Sequence, residues 1–283
     1  MRRFIAALLP TFRYWMQTEV HVYSFSVAAN VLLSFYPFLI VLMGVSRLVF
    51  NEAATLAAIQ LALRDYFPSS FTDFLYTKGA HENLPLSKPT EIIAVILLLF
   101  TANGIFEPLE VALNRVWRIG KNRSFVANQI VSLGLIFVCG ALAILSLMMT
   151  AFNHQSLANM TANSHWVPVW LYAWIPILIF KLAALPLTVL VLFLVYRFLP
   201  NGKPPLARVI PAAIVTGILL EFLKYMSKLI WPWLAVKLER EYAVFRYSVT
   251  LILLGFFVSM LVLAGAEWAS RNQSLDGGEK THA

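Results

Sequence analysis

An all-α integral membrane protein is predicted, with six transmembrane helices, an N-terminal amphipathic interfacial helix and a helical outer loop. Composition is the first reason. The chain is 60% hydrophobic and 13% charged, with a mean hydropathy of +0.74, where a soluble domain averages about 45–50% and about 25%. Folded in water, it would expose more apolar surface than its polar side chains could cover. The second reason is length: apolar stretches of about 20 residues, enough to cross a core of about 30 Å, recur along the chain. The third is Cys139, the only cysteine, which sits inside an apolar run and excludes a disulfide scaffold. The same numbers exclude disorder. A net charge of +8 on so apolar a chain points to anionic lipid headgroups as partners and not to nucleic acid.

Residues 1–19 open the chain. Ile5–Leu9 is too short for the core of a signal peptide and Pro10 follows at once. Phe4, Leu8, Phe12, Trp15 and Met16 recur at helical spacing beside Arg2, Arg3 and Arg13, the pattern of a helix lying on a membrane face. The transmembrane domain then covers 20–270. Its spans are expected near 25–50, 91–113, 125–152, 170–198, 207–230 and 247–268. The fourth is long, and Pro176 and Pro186 let it kink, or Trp170, Tyr172 and Trp174 anchor its start in the interface. Between the first two spans, the outer loop 51–90 carries an alanine stripe from Ala53 to Ala62. An aromatic cluster from Phe71 to Tyr76 follows, suited to the outer leaflet. Residues 271–283 are polar, contain Gly277–Gly278, and read as a disordered tail.

Charge sets the orientation. Most of the 22 Lys and Arg residues fall on the side of the termini, including Arg115, Arg118, Lys121 and Arg123 between spans two and three. The positive-inside rule therefore places both termini in the cytoplasm. Those four cations also suit anionic headgroups at that leaflet, at about 1 kcal/mol per contact, although setting topology accounts for them equally well.

Ionisable and polar residues inside spans are the candidates for a site, because each costs about 2.5–3.5 kcal/mol unless paired or solvated. Glu107 and Glu110 lie one turn apart in span two, behind Asn103 and Gly104 and around Pro108, which opens the helix backbone. Their alternative is a place at the cytoplasmic end of the span, and Glu107 is the stronger candidate. Glu221 and Lys224 share a face of span five, as a neutralised pair or as a substrate-facing site. Asn30, Ser34 and Asn103 more often join helices than bind substrate. Glu267 sits one turn before Arg271 at the end of span six, and Gly140, Gly217, Gly255 and Gly265 suit close helix packing. The five histidines are scattered, without metal-ligand spacing, and no nucleophile triad or phosphate loop appears. Neither an enzyme, a metal nor a cofactor is expected.

Four words in order resemble the YihY/virulence factor BrkB family. They are Ser26-Val-Ala-Ala-Asn-Val-Leu-Leu-Ser-Phe-Tyr-Pro37, Ala112-Leu-Asn-Arg-Val-Trp117 with Lys121-Asn-Arg-Ser-Phe125, Tyr196-Arg-Phe-Leu-Pro200, and Gly265-Ala-Glu267. The likeness covers nearly the whole chain. It implies a multi-pass protein of the bacterial inner membrane, in a family whose labels range from virulence factor through lipid-related transport to an older ribonuclease name. It also adds weight to Glu267. The expected function is transport or translocation of a lipid or amphiphile. The alternative is a non-catalytic scaffold acting through the N-terminal helix and outer loop, and a ribonuclease is least expected. A homo-oligomer or a membrane partner protein is compatible with the chain.

Overall fold

The computed structural model describes residues 2–47, 88–121, 123–163 and 185–276, all helix and connecting turns. The helices are α1 Arg2–Trp15, α2 Thr18–Arg47, α3 Lys88–Val116, α4 Phe125–Asn163, α5 Leu185–Phe198, α6 Leu206–Tyr242 and α7 Arg246–Asp276. A 3-10 turn, Ala243–Phe245, joins the last two. Among the described residues, α2, α3, α4, α6 and α7 are long and apolar enough to cross a membrane. The described part of α5, Leu185–Phe198, is shorter than a span. The expected fourth span begins at residue 170, and residues 170–184 lie outside the described residues. So does most of the outer loop, from 51 to 87, and the tail from 277 onward.

Several boundaries differ from the sequence expectation, and α4 runs to Asn163, past the expected 152. Helix α2 starts at Thr18, ahead of the span expected from about 25, and Val20 and Ser24 of this first stretch are buried in the bundle. Helix α6 runs through Pro232 to Tyr242, 37 residues or about 55 Å, beyond the span expected near 207–230. Proline removes one backbone hydrogen bond, and the helix continues past it. Helix α7 extends to Asp276, so residues 271–276 are helical and not part of a disordered tail.

Helix α2 packs on α3 and α7, α6 packs on α7, and α1 lies against α7. The core is concentrated at one end, where Leu113, Tyr196, Leu199, Val209, Ala212, Leu263 and Ala266 are fully enclosed. Elsewhere large apolar side chains face outward, with Phe100, Phe125 and Leu229 each more than two-thirds exposed. In water such a surface would drive aggregation, whereas in hydrocarbon it is the lipid face. Burial in lipid supplies little force between helices, so close backbone approach and interhelical hydrogen bonds hold the bundle.

Glycine makes those approaches possible. A Cβ on Gly255 would lie 3.2 Å from the Ala28 Cα, and one on Gly217 would lie 2.8 Å from Val189. A Cβ on Gly104 would overlap the Asn30 side chain. Gly140, expected to act likewise, has open space where a side chain would stand.

At the same end, Arg123 caps α5. Its guanidinium donates to the carbonyls of Phe198 at 3.1 Å, Leu199 at 3.3 Å and Pro200. These are orphan acceptors of the last helical turn and the loop after it. Asn114 holds the same loop, accepting the Asn201 backbone N–H at 2.7 Å. Arg123→Ala is expected to cost about 2–3 kcal/mol, the range for hydrogen bonds to a charged group. It should appear as a lower unfolding midpoint in detergent, and Arg123→Lys should recover only part of it. An unchanged midpoint in the alanine variant would show that water caps the helix as well.

Candidate functional site

The basal end of the bundle, where α1, the start of α2, the end of α3 and the end of α7 meet, holds a cleft of about 520 Å³. Its polar lining is Tyr14, Gln17, Glu19, Tyr23, Arg115, Arg118, Glu267, Ser270 and Arg271, and its apolar wall is Val20, Ala112, Val116 and Trp117.

Helix α1 is fixed over the cleft from both sides. Arg271 of α7 donates to the Thr11 hydroxyl. His21 of α2 donates through Nε2 to the Trp15 carbonyl at 2.9 Å. Leu9, Phe12 and Met16 stay exposed on the opposite face, an apolar stripe at helical spacing that suits insertion into the interface.

Two ion pairs span the cleft wall. Arg115 meets Glu19 at 2.6 Å with both side chains at least half exposed, and it also hydrogen-bonds Tyr23. Exposed pairs of this kind contribute little to stability. Arg271 meets Glu267 at 2.8 Å in a more enclosed setting. Burial, and then the Glu267 carboxylate, push the Tyr14 phenol above its ordinary range. Tyr14 therefore keeps its proton at neutral pH and can donate a hydrogen bond into the cleft.

Helix α3 ends in a Schellman motif. The Ile119 N–H reaches the Asn114 carbonyl at 2.8 Å, and the Arg118 N–H reaches that of Arg115 at 3.1 Å. Arg118 occupies the left-handed position of this motif, with φ of 54°, where glycine is the usual residue. An L side chain there costs about 1 kcal/mol or more. Arg118 is exposed and lines the cleft.

The profile of the family described as virulence factor BrkB matches residues 11–283. The chain belongs to that family. It is 27% identical over 192 residues to a UPF0761 membrane protein of Acinetobacter baylyi, covering 66% of this chain and 42% of that protein. The chain thus spans less than half the length of that relative. No solved structure matches.

The last three of the four BrkB-family words touch one another in turn, and the first meets residues outside them. Ala112, Arg115, Val116 and Trp117 form one wall of the cleft. Tyr196 and Gly265 meet at a junction of α5, α6 and α7. There the buried Tyr196 hydroxyl donates to the Val262 carbonyl at 2.7 Å and lies 3.0 Å from the Thr216 hydroxyl. A Cβ on Gly265 would overlap Thr216 Oγ1. Phe198, Leu199 and Pro200 present their carbonyls to Arg123, and Ala28 and Asn30 of the first word lie on Gly255 and Gly104.

The polar residues expected from sequence separate into several places. Asn30 donates to the Ser26 carbonyl at 2.9 Å and rests on Gly104, and Ser34 donates to the Asn30 carbonyl at 2.7 Å. Ser34 also borders an apolar groove of about 710 Å³ between α2, α3 and α4. Asn103 is half-buried beside Gly104. Glu107 is exposed, whereas Glu110 is buried with one oxygen on Asn114 at 3.3 Å. Glu221 pairs with the buried Lys224 at 2.6 Å. Neither Glu107 nor Glu221 lines the cleft or the described apolar grooves. Glu267, Arg115 and Arg118 converge on the cleft, Lys121 is exposed outside it, and Arg123 is taken up by α5. Sequence reading missed Tyr14, Glu19 and Tyr23. Their one signal was Glu19, an acid at an interface otherwise rich in cations.

Proposed function

We propose that this BrkB-family protein moves a lipid or another amphiphile between the leaflets of the bacterial inner membrane, with the basal cleft receiving its head on the cytoplasmic side. The cleft carries this reading. It combines charges of both signs with an apolar wall, at the level where the interfacial helix α1 meets the bundle. Such a mixture matches a molecule with a charged head and an apolar body. Two largely apolar grooves along the spans, of about 450 and 710 Å³, offer surfaces to its tail.

The test is translocation of a tail-labelled phospholipid in reconstituted vesicles, read by accessibility of the label to an external quencher. Wild-type protein should raise the rate well above that of protein-free vesicles. Arg118→Gln, at an exposed position in the cleft wall, should lower it severalfold, the loss of one charge-assisted contact. Glu107→Gln should leave it unchanged, because that side chain lies outside the cleft. A wild-type rate equal to that of empty vesicles would overturn the reading and leave the scaffolding role. Removal of residues 2–16 would then abolish recovery of a membrane partner.

A further inference from the structure

The cleft is not uniformly basic, and its uncommitted groups are of two kinds. Arg115 and Arg271 each have a carboxylate partner, while Arg118 has none among the described residues. Arg118 is also held in a backbone conformation that glycine would adopt without strain. Trp117, in the same wall, has an indole N–H without an acceptor. These are donors for an anion. Glu267 supplies the opposite chemistry. One of its oxygens is on Arg271, and the other is enclosed without a donor. An enclosed carboxylate oxygen is costly until an N–H or O–H reaches it.

We propose that the cleft selects a zwitterionic phospholipid head joining a phosphate to a primary ammonium group. The phosphate meets Arg118 and the Trp117 N–H, and the ammonium donates to the second oxygen of Glu267. A guanidinium suits a phosphate through its planar set of donors. A primary ammonium brings three N–H donors to the carboxylate, whereas a trimethylammonium head brings none. A glycerol head offers hydroxyls without the positive charge. This inference rests on the amphiphile reading and narrows it to one head chemistry.

The experiment compares phospholipids of identical tails bearing ethanolamine, choline or glycerol heads, with the full chain in vesicles. Wild-type protein should move the ethanolamine lipid about tenfold faster than the other two. Glu267→Gln should bring the ethanolamine rate down to the choline rate. Arg118→Gly should slow every phosphate-bearing lipid severalfold while the unfolding midpoint holds or rises, because glycine relieves the left-handed position. That variant separates loss of the site from loss of the fold. Equal rates for the three heads in the wild type would overturn the head selection and leave translocation standing, as would an ethanolamine preference that survives Glu267→Gln. If the wild type moves no lipid, translocation fails. The thermal shift given by each lipid added to the detergent-solubilised protein then decides: a larger shift with ethanolamine supports the selection, and equal shifts overturn it.

Discussion

Gly265→Ala should be among the most damaging single-methyl changes in the protein, costing about 3 kcal/mol or more. The added carbon would overlap Thr216 Oγ1 and lie 2.9 Å from the Tyr196 hydroxyl. Neither neighbour can yield cheaply. Tyr196 and Thr216 are fully buried, and the Tyr196 hydroxyl is committed to the Val262 carbonyl. Overpacking a closed junction costs about 1–3 kcal/mol, and the loss of a buried hydrogen bond adds to it. The unfolding midpoint and the yield of monodisperse protein would report the loss. Adding Thr216→Ala removes the closest atom and should recover part of the stability, leaving the contact with Tyr196. Gly140→Ala is the control. With open space at its Cβ position, it should be neutral or gain up to about 1 kcal/mol from helix propensity. Equal effects at the two glycines would mean that helix propensity, and not the junction, governs position 265.

Lys224→Met should be comparably severe, at about 3–5 kcal/mol. Lys224 is 7% exposed and lies 2.6 Å from the Glu221 carboxylate inside the apolar length of α6. Removing the cation leaves a carboxylate without its counter-charge where water cannot replace it. The pair itself is worth much less than its disruption, so Glu221→Leu with Lys224→Met should return close to wild-type stability. Unfolding in mixed detergent and lipid would measure both variants. A single variant no worse than the double one would show that Glu221 finds another partner or takes up a proton. Neither residue lines the basal cleft, so the double variant should keep its head selection.

The helices were legible because apolar runs of spanning length are a strong and local signal, and they located α2, α3, α4, α6 and α7. Boundaries were less so. The first span was expected from about 25, yet Val20 and Ser24 are already buried. For the site, sequence placed Arg115, Arg118 and Glu267 near one membrane face but could not bring them together, since they belong to helices 150 residues apart in numbering. The exchange between Glu107 and Glu110 has the same cause. Both flank Pro108, and only the packing of Leu109, Ala112, Leu113 and Trp117 against the bundle decides which side of α3 is inside. Glu110 shares that buried stripe and Glu107 does not. The family words were informative for a related reason. Three of them touch one another in turn, Arg123 on the Phe198–Pro200 carbonyls and Tyr196 beside Gly265.

The clasp of α1 by α7 also orders events in time. The cleft is walled by Tyr14 and Gln17 near one end of the chain and by Glu267, Ser270 and Arg271 near the other. It cannot exist while α7 is still in the ribosome, and α1 must rest on the membrane unclasped until Arg271 arrives at Thr11. A chain cut short before α7 lacks Glu267, Ser270 and Arg271 and so carries no finished cleft. The cleft is thus completed only when α7 joins the helices made before it.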